Sequence, residues 1–118
     1  METKNIKFNH KGKKIYLNLK ICRGLWEGIG LMFSRREKGE ALLFEFKKPV
    51  KMAIHSWFVF FPFVAIWFDE NNKIIEIKLV KPFENYILPK KSFTKLIEIP
   101  INKKYQEVIS LLVDTRKI

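Results

Sequence analysis

A chain of 118 residues, 47% apolar and 14% aromatic, predicts one globular domain over 1–118, because two domains would each approach the size at which a core no longer suffices. Eleven Phe, three Trp and three Tyr exclude a disordered chain. One cysteine, Cys22, excludes an internal disulfide and fits a reducing, cytoplasmic compartment, while the net charge of +11 makes polyanions the partner class to be tested.

The polar start Met1–Asn5 predicts no secretory signal peptide. Ile6 and Phe8 precede the turn-rich quartet Asn9-His10-Lys11-Gly12, and Ile15, Leu17, Leu19 and Ile21 then alternate with polar residues. That period of two marks a half-buried strand of a hairpin. Leu25–Met32 is interrupted by Gly28 and Gly30, so a helix there must be short and held by packing. Ser34–Gly39 is a charged loop, and Ala41–Phe46 places Leu42, Phe44 and Phe46 on one face of a strand.

Trp57–Phe68 is an apolar run of twelve residues containing Pro62. A spanning helix needs about twenty apolar residues, so no transmembrane segment is expected. The run predicts two buried extended pieces bent at Pro62. Asp69–Lys73 is a polar break of hairpin type, its asparagines tolerating positive φ, and Ile75, Ile77 and Leu79 alternate on the return strand. Lys81–Lys91, with Pro82 and Pro89, is loop, and Leu96–Ile99 is a short strand closed by Pro100. Asn102 can cap a helix whose Tyr105, Val108, Ile109 and Leu112 share a face. Six or seven short strands and two short helices make the expected fold mainly β, a β-sandwich or distorted barrel.

Five segments in order carry a resemblance: Gly30-Leu-Met32, Ala41–Phe46, Ile54–Pro62 followed by Phe68-Asp69, Lys81-Pro-Phe83, and Leu96–Pro100. The chain resembles domain-of-unknown-function family 192, a small, mostly β family of bacteria and archaea. The resemblance implies a compact β-sandwich-like fold with short helices and no established activity. Three positions depart from the family's pattern. Glu27 stands for its usual arginine, Val59 for a methionine and Val64 for an aspartate.

His55 matches the family's histidine and is the candidate catalytic or binding residue. A general base needs an orienting partner, yet the nearby sequence offers Ser56 and no carboxylate before Asp69. With Val59 and Val64 in place of polar-capable partners, a noncatalytic role is expected for His55. His10, Cys22 and His55 have no ligand spacing, so no metal is expected; no cofactor motif occurs either, the Gly24–Gly30 stretch lacking a P-loop ending.

The charge divides as +8 over 1–51 and +3 over 52–118, with 19 Lys and only four Arg. Lys11, Lys13 and Lys14, beside Lys4 and Lys7, predict a basic cluster at one end of the sheet. Lysine reads charge rather than base edges, so any polyanion binding is expected to be weak and nonspecific. The expected function is a noncatalytic intracellular binding or accessory domain of unknown ligand. The alternatives are a small hydrolase-like enzyme built around His55 and a nonspecific nucleic-acid binder using the basic N-terminal half.

Overall fold

The computed structural model describes residues 2–23, 30–32 and 34–117. Six strands form one mainly antiparallel sheet: β1 (Thr3–His10), β2 (Lys13–Ile21), β3 (Leu42–Val50), β4 (Phe63–Phe68), β5 (Ile74–Val80) and β6 (Phe93–Pro100). Their order is β1-β2-β3-β6-β4-β5, and only β2 and β3 run parallel. The helix expected over Leu25–Met32 lies outside the described residues, apart from 30–32, which form a turn.

Local chemistry sets both hairpins. Lys11 and Gly12, at φ 50° and 78°, make a two-residue turn whose twist matches that of the flanking strands. At the β4–β5 corner the Asp69 carboxylate accepts the N–H groups of Asn71 and Lys73, at 2.8 and 3.0 Å. Of the two asparagines there, Asn72 takes positive φ, at 61°.

The sheet is curled, the barrel-like of the two expected architectures. Phe8 of β1 and Phe68 of β4 meet edge to face, centroids 5.1 Å apart. In a flat sheet strands four steps apart would be separated by about 19 Å, so this contact requires the curl. Inside it, Ile15, Leu17, Leu19, Leu43, Ile66, Ile97 and Ile99 form an inner core. This core is closed by a ten-residue helical segment, a 3-10 turn (Lys103–Tyr105) continuing into α1 (Gln106–Leu112). Asn102 caps it as expected, its side chain accepting the Tyr105 N–H at 3.3 Å and donating to the carbonyls of Arg36 and Gly39, at 2.7 and 3.1 Å. Tyr105, Ile109 and Leu112 are buried and Val108 packs against them. No helix among the described residues is long and apolar enough to cross a membrane.

All six residues of β4 are buried, so the outer face must be covered too. Phe44, Phe61, Phe63, Trp67, Phe93 and Leu96 form this second core, roofed by the segments 51–62 and 81–92. Of the expected core residues, Phe46 and Ile75 are half-buried at its margins, and Ile77 is half-buried against the inner core. One expectation fails here. The first half of the aromatic run is a turn, not a strand, and Trp57, Phe58 and Phe60 are 48%, 46% and 63% exposed. Only Val59 and Phe61 of that half turn inward.

The reason is a knot at Ser56, which is wholly buried. Its hydroxyl donates to the Lys81 carbonyl and accepts the Glu84 N–H, both at 2.6 Å. Its N–H donates to the Glu84 carbonyl, and its own carbonyl accepts the N–H groups of Val59 and Phe83. Those bonds satisfy the backbone locally, so the segment has no need of a sheet ladder. Ser56→Ala leaves a buried carbonyl and N–H without that partner and should cost about 2–4 kcal/mol. A chemical denaturation curve measures it; a loss below about 1 kcal/mol would mean that water replaces the hydroxyl.

Candidate functional site

Between the outer sheet face and its loop roof lies a cavity of about 320 Å³, at the small end of the range of ligand pockets. Three neighbouring strands make its floor and sides: Phe44 and Phe46 from β3, Phe93, Leu96 and Glu98 from β6, and Phe63 from β4. Alternation along β6 decides this placement, since Ile97 and Ile99 face the inner core and Leu96 and Glu98 the outer. Met52–His55 and Val59 form the roof, and the turn Gly30–Met32 closes one end. The roof is stitched down where Ile54 and Ile87 exchange two backbone hydrogen bonds of 2.9 Å, one residue pair from the Ser56 knot.

The polar content of this space is unusual. Glu98 is only 6% exposed, and among the described residues no hydrogen bond or ion pair reaches its carboxyl group. Burial pushes its pKa up to about 8, so the carboxyl is mostly protonated at neutral pH. Gly30 sits directly over it. A Cβ there would lie 3.3 Å from Glu98 Oε1 and 3.6 Å from Phe44 Cζ, and the φ of 52° is itself unfavourable for other residues. The glycine thus lets the backbone approach the carboxyl. On the same sheet face but outside the cavity lining, the indole Nε1 of Trp67 is also buried without a hydrogen-bond partner among the described residues. Although the chain has 23 Lys and Arg, none lines this cavity among the described residues.

His55 stands exposed at the cavity's rim. Its Nδ1 accepts the Trp57 N–H at 3.2 Å and its ring lies against the Trp57 ring, centroids 5.1 Å apart. Among the described residues no carboxylate orients it. Val59 lines the cavity, whereas Val64 faces the inner core on the other side of the sheet. Only one of those two departures from the family pattern therefore bears on this site.

The lysines lie elsewhere. Lys11 lines a groove between the β1–β2 and β4–β5 turns, with Lys7 and Lys73; Lys13 and Lys14 begin β2, both exposed. Lys4 does not join them. It pairs with Leu19, toward the far end of the hairpin, and its ammonium lies 3.1 Å from Glu45. The structure thus brings neither His55 to the lysines nor Lys4 to the turn. Sequence reasoning missed Glu98, and the available signal was a carboxylate set between two isoleucines in the apolar second half of β6.

Around the roof, Trp57, Phe58 and Phe60 from one loop and Phe83, Tyr86 and Leu88 from the other present exposed apolar surface. Phe60 and Phe83 meet edge to face across the two loops, 5.3 Å apart. Phe58 and Phe83 hold positive φ, 58° and 61°, a costly conformation for bulky residues.

Among curated proteins none matches this chain. Two solved structures share its fold. One is a protein of unknown function from Novosphingobium aromaticivorans, with a TM-score of 0.72 and 16% identity, covering 88% of this chain and 76% of that one. The other, from Sinorhizobium meliloti, is described as "a putative transcription regulator"; its TM-score is 0.70 at 15% identity, covering 86% of this chain and 81% of that one. The sequence pattern of DUF192, described as "Uncharacterized ACR", matches residues 8–108. Segments that carried the resemblance in the sequence converge on the cavity: Gly30–Met32 at its end, Phe44 and Phe46 in its wall, Ile54, His55 and Val59 in its roof and Leu96 in its floor. The chain belongs to domain-of-unknown-function family 192.

Proposed function

We propose that this domain is a noncatalytic binding module that takes a small, largely apolar ligand into the cavity above Glu98. One observation carries the reading: a carboxyl that costs stability, has no partner among the described residues, and lines a cavity walled by four phenylalanines. A buried polar group with no structural partner marks a place where a ligand completes the bonding. The exposed aromatic loops around the mouth supply a surface for capture. His55, at the rim and with no orienting carboxylate among the described residues, contributes contact rather than chemistry, and the single cysteine of the sequence fits a cytoplasmic setting.

Two other readings have a specific observation each. A hydrolase-like role rests on His55 and Glu98 lining one cavity; turnover by the wild type but not by His55→Ala, in a screen of hydrolytic substrates, would favour it. A nucleic-acid role rests on Lys7, Lys11, Lys13 and Lys14 near the β1–β2 turn and on the relative described as a regulator. If that patch binds duplex DNA, affinity should fall steeply between two salt concentrations, and replacing Lys11, Lys13 and Lys14 by Gln should lower the salt slope by about two to three units. We expect weak binding with no such change, the charge reflecting composition.

Two measurements test the cavity reading. Toluene, a neutral apolar probe, should raise the melting temperature of the wild type and leave Ala53→Trp, which fills the roof, unshifted; equal shifts in both would sink it. The second follows from linkage. The folded pKa of Glu98 lies above the unfolded value, so the unfolded chain loses its proton first, and the burden on the fold is absent below about pH 4.5 and grows until about pH 8. Glu98→Gln removes that burden. Its stability advantage over the wild type should increase by about 1.4 kcal/mol per pH unit across that window, toward about 4–5 kcal/mol. A difference independent of pH would mean that Glu98 is compensated in the fold and carries no unmet bond.

A further inference from the structure

Resting on the cavity reading, we infer that the ligand is a primary amine with a compact apolar body, its ammonium set on the Glu98 carboxylate and its body against the phenylalanine walls. The chemistry of the lining selects this class. An anionic ligand is disfavoured, because no Lys or Arg among the described residues lines the space and the carboxyl would oppose it. A polar neutral ligand such as a sugar would bury several hydroxyls among Phe44, Phe46, Phe63 and Phe93, where the described residues offer one carboxyl and one rim histidine as polar side chains. An ammonium needs only what is present. It brings the charge that the carboxyl lacks, donates to both of its oxygens, and is attracted by the ring faces alongside. The basic surface does not prevent this, since at about 0.15 M salt exposed charges are screened beyond roughly 8 Å.

The proton balance is explicit. Below pH 8 the empty site holds a protonated carboxyl, so binding of an ammonium expels that proton to solvent and leaves an ion pair. A neutral ligand leaves the proton where it is. The two cases therefore differ in the sign of their pH dependence.

The test compares 2-phenylethylamine with 2-phenylethanol, which replaces the ammonium by a hydroxyl on the same body. Dissociation constants are read from NMR titrations at pH 6, 7 and 8. For the amine, affinity should rise close to tenfold per pH unit from 6 to 7 and roughly fifty-fold over the whole range, one proton being released per ligand bound. For the alcohol it should be weaker at pH 8 and nearly flat from pH 6 to 7. Glu98→Gln, which folds at least as well, should lose the amine's pH dependence and bind both probes alike. Amine affinity that does not change with pH, or an alcohol that binds as tightly at pH 8, overturns the amine inference while leaving the cavity reading intact. Binding of neither probe, with no toluene shift in the wild type, overturns both.

Discussion

Burial of β4 on both faces is the constraint from which the other features descend. Phe63 to Phe68 are six consecutive residues without meaningful exposure, so neither side of the sheet can face water. The inner side is solved by curling the sheet until Phe8 reaches Phe68 and by laying α1 across the opening. The outer side receives no helix among the described residues. It is covered by irregular chain, and irregular chain brings backbone groups that must be satisfied in a dry place. Ser56 is the answer to that problem, joining two loops through its hydroxyl, its amide and its carbonyl. A roof of this kind bridges the sheet rather than interdigitating with it. The space left beneath, between Phe44, Phe93 and Met52, is the cavity.

Charge is sorted in the opposite sense to composition. The surface carries most of the basic side chains, several of them in exposed pairs such as Lys4–Glu45 and Lys20–Glu40, at 3.1 and 3.2 Å, that add little to stability. The interior of the outer core holds one carboxyl and no base among the described residues. A chain whose composition points to anions thus presents a buried site suited to cations. Composition describes the solvated shell, and a site of one residue is invisible in it.

The elements that were legible in the sequence are those governed by period and by turn chemistry. Ile15, Leu17 and Leu19 alternate because one face of β2 is wet, and they are buried as their spacing requires. Asn102 and the Tyr105–Leu112 face could be read because a cap and a helical period reinforce each other. Trp57–Phe61 misled for a physical reason. Apolar composition measures how much a segment gains from burial, but the bonds that place the segment run through Ser56, a polar residue whose partners Lys81 and Glu84 lie more than twenty positions away. Phe46 and Ile77 were legible as apolar and not as marginal, because their exposure depends on where the sheet curls away from its cover. Glu98 was hidden by its own pattern. Its position between Ile97 and Ile99 reads as the wet side of a strand, and only the roof over β6 makes that side dry.

Unfavourable features are not spread evenly through the molecule. The carboxyl of Glu98, unpaired among the described residues, and the positive φ of Gly30 belong to the cavity itself. The positive φ of Phe58 and Phe83 is confined to the loops that roof and surround it. Elsewhere in the described residues positive φ falls at Lys11, Gly12 and Asn72, all in hairpin turns where it serves the reversal of the chain. Strain of the first kind serves no reversal or core that could not be built more cheaply: a glutamine at 98 would fill the same volume without a charge to bury. A fold tolerates such positions only where the surrounding contacts over-determine them, here the Ser56 knot and the Ile54–Ile87 bridge. Among the described residues the other buried polar atoms without a partner, Trp67 Nε1 and Thr94 Oγ1, do not line the cavity, so the carboxyl's burden together with the positive φ around it is what supports reading the space as a binding site rather than a packing defect. A defect would leave a void lined by apolar atoms alone, and this one holds a carboxyl.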